Sequence, residues 1–173
     1  MKTTLLFVLL TLTFMGIFYA CTQSEANTEA TTAFKVNLTD NSTAAQEVNI
    51  DLKEVRVNYK DGSEEWFVLQ TKVGVYNLSD IQNGVDTTIA SGIIHGNDIR
   101  EIRLVLGTNN SVRIKDVVYP LTIPGGSEDG LKIRLDKNLR KGMDEVTIDF
   151  DAALSVHQAQ NGTYILKPVL KLK

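Results

Sequence analysis

Cysteine occurs once in the 173 residues, at position 21. An intramolecular disulfide is therefore excluded, as is any cysteine-rich metal site. Histidine is almost as scarce, with His95 and His157 alone. Neither lies near another strong ligand in the chain, so no zinc constellation assembles around them. They read as loop residues, His95 in the turn from Gly92 to Gly96 and His157 at a hairpin end. No Gly-x-Ser-x-Gly nucleophile elbow occurs. Pro124-Gly125-Gly126-Ser127 is rich in glycine, but no helical pattern follows it, which makes it a turn and not a phosphate cradle. Basic runs interleaved with aromatics are missing, which argues against a nucleic-acid partner. Few windows sustain a helical period, and there is no internal repeat. These absences lead to the expectation of a protein with no catalytic residues, no metal and no cofactor.

The first twenty residues differ from the rest. Lys2 supplies one positive charge, and Leu5 to Ala20 is then apolar but for Thr11, Thr13 and Gly16. A charged start, a short apolar core and a small closing residue describe a secretory leader over residues 1–20. A spanning helix wants about 20 apolar residues, and no later segment supplies them either. The string Phe18-Tyr19-Ala20-Cys21 resembles the lipobox of bacterial lipoproteins, in which a small residue precedes a cysteine that is acylated. The other reading is ordinary cleavage after Ala20, which would leave a reactive thiol on an exported protein. The resemblance implies acyl chains such as palmitate on Cys21, with a lipid bilayer as partner. One chain holds only marginally at about 0.8 kcal/mol per buried methylene, so two or three would make release very slow.

Residues 22–32 read TQSEANTEATT and contain no large apolar residue. Such a segment cannot bury enough to fold, so residues 21–32 are expected to form a lipidated, flexible tether. Glu25 and Glu29 leave open an alternative role as a surface-display signal. Without Lys2 the chain keeps 17 Lys and Arg against 21 Asp and Glu, a net of −4. That mild acidity favours solubility and excludes little else.

Residues 33–173 show alternation. Phe34, Val36 and Leu38 alternate with Lys35 and Asn37, and Ile102, Leu104 and Leu106 with Arg103 and Val105. Leu131, Ile133 and Leu135 do the same. Period two marks half-buried strands, and short, regularly spaced strands bounded by Gly, Asn and Asp predict an all-β sandwich or barrel. Val48, Ile50 and Leu52 fall out of phase with Val55 and Val57, which predicts a β-bulge near Lys53-Glu54. Asp61-Gly62 predicts a type I′ turn setting Val57 opposite Trp66. A three-residue loop Thr108-Asn109-Asn110 would pair Leu106 with Val112, with Asn110 left-handed. A three-residue loop Gln160-Asn161-Gly162, with Gly162 left-handed, would set Asp151 opposite Lys171, Asp149 opposite Lys173 and Ser155 opposite Lys167. Its first strand, Val146 to Ser155, would turn Val146, Ile148, Phe150, Ala152 and Leu154 inward. Pro168 lacks a backbone donor and belongs at an edge.

The run Asp149-Phe150-Asp151-Ala152, then Ser155, then Leu166-Lys167-Pro168-Val169 resembles the closing signature of bacterial lipoproteins bearing the domain of unknown function 4382. Val48-Asn49-Ile50, Val55-Arg56-Val57, Trp66, Tyr76-Asn77-Leu78, Asn83-Gly84 and Ile102-Arg103-Leu104 agree in order. Leu38-Thr39-Asp40-Asn41 lacks the Asp-Pro turn often found there. The resemblance implies a secreted β-sandwich on an outer or surface-exposed membrane, in a family whose name assigns no activity.

Two groups of residues are candidate sites. Asp149 and Asp151 share a strand face about 7 Å apart. They could ligate a cation or serve as general acid and base, but an ion ladder with Lys171 and Lys173 needs no unseen ligand. Trp66, Phe67 and Tyr76 could form an aromatic platform for sugar rings, or could be covered by the segment from Val73 to Gly96. Asn-x-Ser/Thr sequons at Asn37, Asn41, Asn77, Asn109 and Asn161 reflect turn composition.

The expectation is an antiparallel β-sandwich of immunoglobulin or prealbumin type, anchored through Cys21 in the cell envelope at the outer membrane. It would be a noncatalytic binding or assembly module for a glycan or an envelope protein. A hydrolase with a loop-built site and a subunit acting by strand addition are the alternatives.

Overall fold

The structure, a computed structural model, describes residues 31–42, 47–59, 65–95, 98–125 and 130–173. The leader, Cys21, residues 22–30 of the tether, the Asp61-Gly62 turn, Gly96 and Gly126-Ser127 lie outside the described residues. The strands in chain order are β1 (Thr31–Thr39), β2 (Glu47–Tyr59), β3 (Trp66–Val68), β4 (Gln70–Thr71), β5 (Gly74–Asn77), β6 (Thr87–His95), β7 (Asp98–Leu106), β8 (Ser111–Ile114), β9 (Val117–Thr122), β10 (Leu131–Asn138), β11 (Gly142–Phe150), β12 (Val156–Gln158), β13 (Tyr164–Leu166) and β14 (Leu170–Leu172). Leu78–Ile81 forms a 3-10 turn, and Ala152–Ser155 forms a one-turn helix, α1. Thr31 and Thr32, assigned to the tether from composition, are the first residues of β1.

The chain is all-β, in two sheets. The smaller has the order β14-β11-β1-β6-β4, and the larger runs β10-β7-β2-β8-β9-β13-β12 with β3 and β5 also on β2. The alternating apolar sets of both sheets meet in one buried cluster, with Phe34, Val36, Leu38, Ile148 and Phe150 from one side and Ile50, Val55, Val57, Ile102 and Leu104 from the other. Water expels these side chains, and the period of two puts them on one face of each strand. The expected bulge is present, since the β2–β7 register shifts between Leu52 and Glu54 and both halves of β2 then face the core.

Pairing is not purely antiparallel as expected. β1 runs parallel to β11, and β13 runs parallel to β9. Both partners come from distant parts of the chain, so no tight turn dictates their direction.

Three local registers also differ from expectation. β7 and β8 do not form a hairpin. Both lie along one edge of β2, β7 against Leu52–Tyr59 and β8 against Glu47–Asn49. The intervening Gly107 donates its N–H to Asp51 O at 2.6 Å, and Asn110 is buried, its side chain accepting the Asp51 N–H at 2.8 Å. Asn110 is not left-handed. The tight hairpin falls instead at Lys115-Asp116, with φ of 47° and 65°, joining β8 to β9.

Across from β3, Val57 pairs with Phe67 and not with Trp66. The slip of one residue moves Trp66 to the other face of the sheet. The third departure is at the end of β11. The chain turns through α1 there, and Leu154, expected inward, is 54% exposed. β11 pairs with β14 so that Asp149 meets Lys171. Nearer the turn, β12 and β13 keep the predicted register, Lys167 N–H donates to Ser155 O at 2.8 Å, and Gly162 has φ of 85°. Pro168 lies between β13 and β14, outside either strand.

Candidate functional site

The outward face of the larger sheet carries the most chemically distinctive group. Paired residues share a face, so the registers place Trp66, Asn58, Glu101 and Arg134 in one row across β3, β2, β7 and β10. The adjacent row is Val68, Arg56, Arg103 and Lys132. Arg103 reaches diagonally and sets its guanidinium carbon 3.9 Å from the centroid of the Trp66 ring. A cation over an indole face is the strongest form of this attraction, about 0.5–1 kcal/mol at an exposed site. The short, buried Asn58 between them donates its Nδ2 to Glu65 O at 2.7 Å, so no bulk stands between the ring and Arg103.

The three aromatics singled out from sequence are not brought together. Trp66 looks outward. Phe67 turns to the other face and is 38% exposed, and a side chain added at Gly92 of β6 would touch it. Tyr76 is opposite Ile50, packs against the core and donates its hydroxyl to Lys72 O at 2.6 Å. Burial raises its pKa. Arg56, Arg103 and Lys132 escaped sequence reasoning. Each looked like an ordinary outward residue of an alternating strand, and only the order of three strands aligns them.

Asp149 and Asp151 are also separated. Asp149 is buried, and its carboxylate accepts the Asn41 backbone N–H and the Asn41 Nδ2, each at 2.9 Å. Lys173 reaches the same asparagine, donating to Asn41 Oδ1 at 3.1 Å. Asp151 caps α1 by accepting the Leu154 N–H at 3.0 Å, with Lys171 Nζ 4.0 Å away. Of the predicted ladder the Asp151–Lys171 ion pair is present, although the helical turn takes Asp151 out of the strand and puts Asp149 opposite Lys171, while Asp149 and Lys173 meet only through Asn41. Nearby Asp40 is buried and accepts from Ser42 N–H and from Gln82 Nε2. Among the described residues no group of three or more His, Cys, Asp and Glu is placed to hold a metal ion.

Of the histidines, His95 is the last residue of β6, opposite Thr31, rather than part of a turn, and His157 lies in β12. Both are exposed.

One buried carboxylate was missed altogether. Asp144 occupies an inward position on β11 and is fully enclosed. Burial pushes its pKa up, but the Arg140 backbone N–H, Lys137 Nζ, the Glu145 N–H and the Arg140 side chain outweigh it, holding the carboxyl well below the usual range. The sign of it in the sequence is that Asp144 shares parity with Val146, Ile148 and Phe150. Its partner Lys137 lies on β10 of the larger sheet and Arg140 in the link that follows, so the group fastens the larger sheet to the smaller.

Comparison with known proteins gives one match. Residues 31–168 match the family described as a domain of unknown function (DUF4382). No curated protein and no solved structure matches the chain.

Proposed function

The chain belongs to the DUF4382 family of domains of unknown function, and from that premise we propose that it is a lipid-anchored, noncatalytic binding module of a bacterial cell envelope with a saccharide ligand. The domain is a β-sandwich of immunoglobulin or prealbumin type. Cys21 carries the acyl chains, and the outer membrane holds the protein with its domain on the periplasmic or the exposed side. The leader and the Ala20-Cys21 junction support the anchor.

The observation that carries the binding role is the Trp66 ring on the outward face with Arg103 stacked 3.9 Å from its centroid. Burial of Trp66 in the core would have served stability alone. An indole fixed by a guanidinium, in one row with the polar groups of Asn58, Glu101 and Arg134, suits a ligand that is apolar on one face and hydroxylated at its rim.

Two experiments test the proposal separately. Replacing Cys21 with Ser should move the protein from the membrane to the soluble fraction, and unchanged membrane association would refute the anchor. A glycan array should give signals for the wild type that Trp66→Ala loses. Signals that survive the substitution, or none in either protein, would refute the Trp66 site.

A further inference from the structure

Three cations stand in line across the outward face. Arg56 on β2 is directly opposite Arg103 on β7, and Arg103 is directly opposite Lys132 on β10. Like charges directly opposed in a sheet repel each other, which makes such a line unfavourable for folding alone. Arg56 has a carboxylate partner, Glu54, at 2.6 Å. Among the described residues Arg103 and Lys132 have none, and the Nε atoms of both Arg56 and Arg103 are closed off from solvent without a hydrogen-bond partner. Stacking on Trp66 accounts for the position of Arg103. It does not account for a second guanidinium on one side of it and an ammonium on the other.

We infer that this line recognises the negatively charged groups of an acidic saccharide, carboxylates or sulfates, while Trp66 takes the apolar face of a neighbouring ring. The inference rests on the saccharide reading above and narrows it to one ligand class. Guanidinium groups present a planar fork of donors that matches the oxygens of carboxylates and sulfates. Neighbouring strands are about 4.8 Å apart, so successive cations are spaced on the scale of one sugar ring. The chain as a whole is acidic, with a net charge of −3. Its global field therefore repels polyanions, and any that bind must be held locally.

The test is calorimetric titration of the full-length protein with dextran sulfate, polygalacturonate and unmodified dextran. Both polyanions should bind more tightly than dextran. Their affinity should fall about tenfold in Arg103→Gln and in Lys132→Gln, and fall again as salt screens the contact. The two polyanions separate sulfate from carboxylate recognition. Equal affinity for dextran and dextran sulfate, or polyanion binding untouched by both substitutions, would overturn the acidic assignment and leave the Trp66 saccharide site standing. Binding of none of the three would overturn both. Lys132 is exposed, so Lys132→Gln keeps the test sound if Arg103→Gln fails to fold.

Discussion

The Ser155 hydroxyl accepts the backbone N–H of Val169 at 2.9 Å and donates to Asp151 O at 2.5 Å. These contacts lie where two segments cross together from one sheet to the other. Between the pair Phe150–Leu170 and the pair Val156–Leu166, residues 151–155 face residues 167–169. Five residues against three leave an excess of two, which the chain winds into α1. Because the shift is even, the inward set stays inward on both sides of the crossing. Ser155→Ala should then destabilise the fold by about 1–3 kcal/mol, since it removes the hydroxyl that the Val169 N–H donates to and that the Asp151 carbonyl accepts from. Urea unfolding measures this. A midpoint within error of the wild type would show that the hydroxyl is dispensable.

Asp144 makes stability depend on acid pH in a specific direction. Its pKa is depressed in the fold, so its contribution is full above the unfolded value and is lost as pH falls below it. At neutral pH, Asp144→Asn should cost about 1–3 kcal/mol, because Lys137 and Arg140 are partly exposed and can turn to water once the carboxylate is gone. That difference should shrink below about pH 4, as the wild-type carboxyl begins to lose its own advantage. Denaturant midpoints of both proteins at neutral and acid pH decide it. A difference that stays constant with pH would contradict the ion group.

Gly107 is required by close approach rather than by its backbone angle. A Cβ at that position would collide with the Asp51 carboxylate and with Cε of Lys53. Asp51 is buried and accepts the Asn109 N–H at 3.2 Å, so it has little room to yield. Gly107→Ala should therefore destabilise by about 1–3 kcal/mol through overpacking, read as a lowered Tm. Gly125→Ala is the control. Among the described residues no atom beyond its own chain neighbours lies within 4 Å of its Cβ position, and its φ of 85° leaves only the smaller conformational strain.

The strands themselves were legible, because burial follows a period that the sequence displays. The bulge at Lys53-Glu54 could be read from a change of parity, and the loop ending at Gly162 from the need to keep faces matched. Two kinds of information were missing. Alternation does not say which strand is a neighbour, so the parallel pair β1–β11 and the shared edge of β7 and β8 along β2 had no local sign. Residues 107–110 look like a hairpin loop, yet they serve as an insertion that lets one line of strand continue past Asp51. Where both faces of a strand are apolar, as at Trp66 to Val68, parity cannot choose the register. The slip of one residue there decided which aromatic reached the surface. The cation line was hidden for the same reason, since Arg56, Arg103 and Lys132 are far apart in the chain and meet only through strand order.

Trp66 is the single tryptophan, so its fluorescence reports on the outward face and on nothing else in the protein. An ionic quencher samples the local potential next to the ring. With Arg103 stacked on it, and Arg56 and Lys132 on either side of Arg103, iodide should quench Trp66 more efficiently than caesium does, although the chain as a whole is acidic and would favour the opposite order. Lys132→Gln should reduce the ratio of iodide to caesium quenching without changing the emission maximum. Arg103→Ala should reduce it further and shift emission to the red, because the guanidinium that covers one face of the indole is gone. Neutral acrylamide corrects for exposure, and each ion is scaled to its quenching of free N-acetyltryptophanamide, so the comparison isolates charge. Caesium quenching equal to or greater than that of iodide in the wild type would mean that the field at the ring is not positive, and the aligned cations would then have no electrostatic consequence at the face they occupy.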